Sequence, residues 1–307
     1  MDMLPVFSQM GILFLTAALG FVGAKCGVMD ETSNTTLSKV VLNLTLPCTV
    51  LSSAFSGERM LENTEVLGLM LMSAVSMVLL ILFSKGIMAL LRVPGEHRGV
   101  CEFTMLFSNG GFIGYPVLRV IFGPESVFFA AVITLIHTLL SYSYGVVLIR
   151  GREGGRGFTL KDLLSPVAVS SVMACCIYML DLKLPAFAKD FLSFVDQGTS
   201  PFSMLIIGCA MAFTKGSHSA HSWKSYLALA LKMILVPVIC WYAMTLMGVD
   251  AFVAGIFAVI FALPAAASTT MFCARYGKDQ SLASSAVLLS TAFSAISLPL
   301  LCGLLFR

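Results

Sequence analysis

Phe107-Ser108-Asn109-Gly110-Gly111-Phe112-Ile113-Gly114-Tyr115-Pro116-Val117 is the stretch that decides how this chain folds. It sits inside an apolar run, yet three glycines and a proline fall within seven residues, 110 to 116. That density breaks a helix. In lipid, backbone freed this way finds no water, so it must be buried in protein or line a wet cavity. A second stretch of the same kind follows: Phe261-Ala262-Leu263-Pro264-Ala265-Ala266-Ala267-Ser268-Thr269-Thr270-Met271. It too carries a mid-run proline, followed by small residues and hydroxyls. Interrupted helices at matching places in two halves of a membrane chain point to a substrate site.

The surrounding sequence is built for lipid. Of 307 residues, 58% are hydrophobic and 11% charged, and the mean hydropathy is +0.94. Soluble domains carry about 25% charged residues. Apolar stretches near the roughly 20 residues a spanning helix needs recur at 5–25, 36–55, 65–91, 99–121, 126–149, 163–181, 191–213, 224–247, 251–274 and 280–305. The chain is therefore expected to be an all-α integral membrane protein of ten transmembrane helices. Met1-Asp2-Met3 carries no basic stretch, so the first run is expected to be a retained helix, not a signal peptide.

Loop charges give an orientation. With the N-terminus outside, the inside loops hold Lys25, Lys39, Arg92, Arg98, Arg150, Arg152, Arg156, Lys161, Lys215, Lys224, Arg275 and Lys278. The outside holds Arg59, Arg119, Lys183, Lys189 and Arg307. Twelve against five follows the positive-inside rule, so both termini are expected on the non-cytoplasmic side of the cell (plasma) membrane.

The chain also repeats. A shift of 154 residues lays Thr45-Leu46-Pro47 on Thr199-Ser200-Pro201 and Phe122-Gly123 on Tyr276-Gly277, and the spans superpose at the same shift. Each half then holds five helices. An odd number makes the second half enter the membrane from the opposite side. The expected fold is two inverted five-helix repeats, residues 1–149 and 163–307, joined by a cytoplasmic linker at 150–162. Helices 4 and 9 are the broken, crossing ones.

The candidate site follows from the breaks. Half-helices ending at the midplane present N–H groups and positive dipole ends, which favour an anion. The candidate substrate-binding residues are Asn109, Gly110, Gly111, Pro116, Pro264, Ala265, Ser268, Thr269 and Asn43. Asn109 can donate and accept, and so orient a carboxylate. Ser108, Ser268, Thr269 and Thr270 add hydroxyls. Asn43 lines the site or bonds a neighbouring helix, and both readings stand. Pro47 and Pro201 read as kinks.

Few ionisable residues fall inside the spans: Lys85, Glu102, Arg119, His137 and Lys232. The three nearest span ends, Lys85, Glu102 and Arg119, are expected to snorkel. His137 and Lys232 are expected to be hydrogen-bonded or snorkelling, with a proton or counter-charge role as the alternative. No aspartate lies deep in a span; Asp196 reads as a helix-end residue. The nine cysteines read as small buried hydrophobes, not disulfides or metal ligands. No G-x-S-x-G, P-loop or H-E-x-x-H motif is present, so neither hydrolase chemistry nor self-driven ATP hydrolysis is expected, and no cofactor is implied. A net charge of +3 with no basic face excludes nucleic acid as an expected partner.

Asn43-Leu44-Thr45-Leu46-Pro47, Asn109 through Gly114-Tyr115-Pro116, and Leu263-Pro264 leading to Ala274-Arg275-Tyr276-Gly277 resemble the auxin efflux carrier family, over the whole chain. That family includes plant auxin exporters and bacterial carriers of malonate, malate and related acids. The resemblance implies a scaffold of helices 1, 2, 6 and 7 and a mobile transport domain of helices 3–5 and 8–10. It implies substrate contact by Asn109 and crossing prolines at Pro116 and Pro264. Many plant members carry a glutamine just after the ninth-helix proline. Ala265 stands there instead, which leans toward the bacterial, small-acid type.

The expectation is a secondary transporter of small organic anions, carboxylates or dicarboxylates, working by alternating access, with the bilayer and a homodimer mate as further partners. The alternatives are a cation/proton antiporter or sodium-coupled symporter of similar fold, and a non-transporting receptor, for which the short loops leave no signalling domain.

Overall fold

The computed structural model describes residues 3–55, 61–151, 166–213 and 223–306. Most of the expected linker, from 152 on, lies outside the described residues, as does the start of the sixth span. The helices are α1 Met3–Lys25, α2 Glu31–Val40, α3 Leu46–Ser53, α4 Asn63–Leu90, α5 Gly95–Leu106, α6 Tyr115–Phe122, α7 Ser126–Leu140, α8 Val146–Arg150, α9 Pro166–Met179, α10 Ala186–Asp196, α11 Thr199–Phe213, α12 Trp223–Leu246, α13 Ala251–Ala262, α14 Ser268–Arg275 and α15 Gln280–Leu305. Among the described residues the only extended pairing is a single antiparallel bridge, Ser108 with Ala265.

Four helical stretches among the described residues are long and apolar enough to cross a bilayer: Asn63–Leu90, Ser126–Arg150, Trp223–Leu246 and Gln280–Leu305. The 28 residues of α4 reach about 42 Å at about 1.5 Å per residue, beyond the roughly 30 Å of a hydrocarbon core. Along it Leu67, Leu71, Val75, Val78, Leu79 and Leu82 are each more than half exposed. An apolar stripe of that length would be untenable in water and suits lipid. The shorter apolar helices include Gly11–Lys25, Pro166–Met179 and Ala251–Ala262.

Prolines explain where two helices change pitch. Pro47 lacks an N–H, and its ring crowds the carbonyl four residues earlier. Directly before α3 the chain widens into a π turn at Val41–Thr45, where the Leu46 N–H donates to Val41 O. One extra residue per turn removes the crowding. The same device, a π turn at Gly110–Gly114, stands ahead of Pro116. Pro201 lies in the first turn of α11, where a missing N–H costs nothing.

The contacts divide the chain into two compact units. The first is Met1–Leu71, Gly111–Leu135 and Leu164–Phe213. There α1 lies against α11, with Gly20 facing the Leu205 backbone and Gly208 facing the backbone of Ala17 and Phe21. Thr49 Oγ1 donates to Thr199 Oγ1 at 2.8 Å. The second unit is Met72–Gly110, Ile136–Leu163 and Thr214–Arg307. There α12 lies against α13, and α5 against α8 and α15. Each unit draws on both sequence halves. Helices 1, 2, 6 and 7 of the expected scaffold fall in the first unit. Helices 3, 4 and 5 are divided, at Leu71/Met72, Gly110/Gly111 and Leu135/Ile136.

Candidate functional site

In the second unit, two helices end at one place. α5 stops at Leu106 and Phe107 turns extended, with φ −110° and ψ 111°. α13 stops at Ala262 and Leu263 turns extended, with φ −60° and ψ 150°. The break in the fourth span therefore lies at Phe107–Asn109, upstream of the glycines expected to make it. The glycines are wound into the π turn instead, because Gly110 and Gly111 tolerate its dihedrals and the extended residues are held by partners.

Those partners satisfy most of the Leu263–Ala266 backbone. The Asn109 N–H donates to Pro264 O at 2.8 Å, and the Ala266 N–H donates to Phe107 O at 2.9 Å. Pro264 has no N–H to satisfy. The Ala265 N–H donates to Ser290 Oγ on α15 at 3.1 Å. Leu263 O accepts from Lys232 Nζ at 3.1 Å. Ala266 O accepts from the Thr269 N–H at 3.1 Å and from Thr269 Oγ1 at 2.7 Å. An apolar cluster of Leu229, Met233, Ala265 and Ala286 fixes α12 and α15 around this crossing.

At the crossing itself the backbone donors are paired rather than open. The N–H groups of Asn109, Ala265 and Ala266 are all engaged, and the Thr269 hydroxyl donates back to Ala266 O. Pairing two extended segments satisfies donors that a simple kink would leave open. Of the candidate residues, Asn109, Gly110, Pro264, Ala265, Ser268 and Thr269 belong to this unit. Asn109 is 6% exposed, Pro264, Ala265 and Thr269 are buried, and Gly110 and Ser268 are half-buried. Gly111, Pro116 and Asn43 belong to the first unit. Pro116 is buried in the first turn of α6. Asn43 is exposed, and its Nδ2 donates to Lys39 O of its own helix at 2.7 Å.

The ionisable residues divide. Of the two outcomes expected for Lys232 it takes the hydrogen-bonded one: it has 0% exposure and donates to Ser108 Oγ at 2.7 Å as well as to Leu263 O. Glu102 is 4% exposed and accepts from the Tyr144 hydroxyl at 3.1 Å. Exposed Lys85 sits over the Tyr144 ring, 5.8 Å from its centre. In the first unit Arg119 pairs with Asp196 at 2.8 Å, and that aspartate ends α10 yet is 6% exposed. His137 is buried, lies against the Phe261 ring at 6.0 Å, and its Nε2 has no hydrogen-bond partner among the described residues.

A model of the family described as "Membrane transport protein" matches residues 5–302. The chain belongs to that family. It is the auxin efflux carrier family that the motifs resemble. An uncharacterized transporter of Methanocaldococcus jannaschii is 23% identical over 300 residues, covering 94% of this chain and 95% of its own. One of Methanothermobacter thermautotrophicus is 25% identical over 293 residues, covering 92% of each. The fold is thus that of a membrane transport protein, embedded through its apolar helices.

In this transport protein two residues at the crossing escaped sequence reading as parts of it. Ser290 is one of many small hydroxyls in α15, and nothing local marks it. Lys232 carried a signal, a lone lysine in Leu229-Ala230-Leu231-Lys232-Met233-Ile234-Leu235, but its partners lie 124 and 31 residues away.

Proposed function

We propose that the chain is a secondary carrier of small organic anions, carboxylates or dicarboxylates, working by alternating access as a multi-pass protein of the plasma membrane with both termini outside. The observation that carries this reading is the crossing itself. Two helices stop, exchange two backbone hydrogen bonds and resume, at the place where Asn109 and the first turn of α14 come next in the chain. α14 is aligned to offer its positive end to an anion.

The reading includes ten helices in two inverted five-helix repeats. Matching lengths support it. The 12 residues of α5 precede a break and the eight of α6; the 12 residues of α13 precede a break and the eight of α14. The probes to try first are malonate and malate, since the family resemblance extends to bacterial carriers of such acids. Proteoliposomes containing the protein should accumulate labelled malonate or malate. Asn109→Ala should reduce that uptake at least about tenfold, as loss of a hydrogen bond to a charged group does. Uptake that the variant fully retains overturns the site, and no uptake of any organic anion overturns the carrier reading.

One observation favours a second reading, a sodium- or proton-coupled carrier. Glu102 is a buried acid inside α5, where a coupling ion could bind. A sodium-dependent current without any organic substrate would establish it.

A further inference from the structure

We propose that Lys232 is a tethered cation: its ammonium group fills the charge position that a coupling sodium ion would otherwise occupy at the crossing, so transport runs without sodium. The proposal rests on the carrier reading above and goes beyond it in naming what neutralises the crossing.

Two helix C-termini meet there, those of α5 and α13. Each carries about −0.5 of an elementary charge. Together they call for roughly one positive charge, and in a buried place water does not supply it. Lys232 Nζ brings one. It donates to Leu263 O, the carbonyl just past α13, and to Ser108 Oγ, two residues past α5. Among the described residues no carboxylate pairs with Lys232, so its charge is not spent on an acid. A carbonyl and a hydroxyl are the oxygen ligands a hard cation takes. Here both are already held by an ammonium group.

The placement is built, not incidental. Lys232 has 0% exposure. Leu229 and Met233, on either side of it in α12, belong to the apolar cluster that also holds Ala265 and Ala286. That cluster fixes where the lysine stem enters the crossing. With the C-terminal ends offset by Lys232, the positive end of α14 is left as the dominant local field. The crossing then favours an anion over a cation, which ties the lysine to substrate class.

The test uses purified full-length protein and proteoliposomes with labelled malonate as the probe. Wild-type flux should be unchanged, within about twofold, when choline replaces sodium. Lys232→Ala removes the ammonium and opens space for a small cation. Its flux should fall at least about tenfold, the effect of losing hydrogen bonds from a charged donor. Sodium or methylammonium should restore part of that flux, a response that loss of packing alone would not produce. Saturable thermal stabilisation by the same cations is expected for Lys232→Ala and not for the wild type. This arm reads the lysine even if malonate is not carried, in which case only the substrate is wrong. Wild-type flux that collapses in choline overturns the proposal. So does a folded Lys232→Ala protein that neither cation rescues or stabilises. If that variant does not fold, the wild type alone decides: stabilisation by sodium refutes the tethered cation, and indifference to sodium supports it.

Discussion

Replacing Ser290 with alanine removes the acceptor for the Ala265 N–H and leaves that donor on a residue with 0% exposure. An orphaned buried N–H costs about 1–3 kcal/mol. At about 1.4 kcal/mol per tenfold, that shifts the balance between closed and opened crossing by about 5- to 150-fold. Nothing else is lost, because the second bond of Ser290, to Val287 O at 3.1 Å, only supplements a carbonyl that the Thr291 hydroxyl also reaches. Ser294→Ala is the control. Its hydroxyl donates back to Thr291 O at 2.7 Å within the same helix, so its removal orphans no donor. Thermal unfolding in detergent, read by a thiol-reactive dye, suits a chain whose free cysteines include buried Cys101, Cys175, Cys209, Cys273 and Cys302. Ser290→Ala should unfold at least about 3 °C below Ser294→Ala. Midpoints within about 1 °C of each other would show that the Ala265–Ser290 bond does not hold the crossing.

Other expectations are independent of that bond. Gly208→Ala puts a Cβ 2.7 Å from the Ala17 carbonyl carbon and 2.8 Å from Phe21 N, so it should cost about 1–3 kcal/mol, whereas Gly68→Ala meets nothing within 4 Å and should stabilise α4 by about 0.5–1 kcal/mol; thermal midpoints compare the two. Asp196→Ala strands Arg119, but that guanidinium is 27% exposed, so the loss should be about 1–2 kcal/mol and less than for a fully buried pair, partly recovered in an Arg119→Met/Asp196→Leu double variant. His137→Phe removes the unbonded Nε2 and keeps the ring contact with Phe261; its midpoint should equal or exceed wild type, and a fall would refute the assignment. Thr269→Val breaks the bond to Ala266 O and should lower the midpoint while leaving KM for a carried anion unchanged, with a raised KM as the refuting result.

Sequence reading reached the apolar helices because lipid imposes a long-range, one-dimensional rule. Twenty or so residues without charge need no tertiary information. It reached the two interruptions because glycine and proline act on their own turn. It misplaced the first interruption by a few residues because glycine permits many conformations without dictating one. Phe107 and Ser108 are extended because Phe107 O accepts from Ala266 and the Asn109 N–H donates to Pro264 across the crossing, and those partners are distant in sequence. Glu102 and Arg119 departed from the expected snorkelling for the same reason. Lys85, Glu102 and Arg119 look alike near span ends, yet Lys85 is exposed, Glu102 is covered with Tyr144 against it, and Arg119 has Asp196. Snorkelling is the outcome when no partner waits inside, and a partner is a property of the fold.

The closed backbone of the crossing changes which groups can meet a substrate. An open kink would offer a row of N–H groups, and any small anion would find donors there. Pairing removes that generic attraction, since the donors of Asn109, Ala265 and Ala266 already have acceptors inside the protein. Dipole ends act over the length of about one helical turn whether or not their N–H groups are exposed. The field therefore persists while the donors of the crossing are closed. On the proposal above, Lys232 sets the sign of that field by offsetting the carbonyl ends, and side chains set the fit. In the proposed carrier such a site would separate charge selection, carried by lysine and dipoles, from shape selection, carried by residues such as Asn109 and Ser268. On that proposal a substitution in the second set changes substrate without disturbing the first, since it leaves the backbone bonds Asn109 to Pro264 and Ala266 to Phe107 intact.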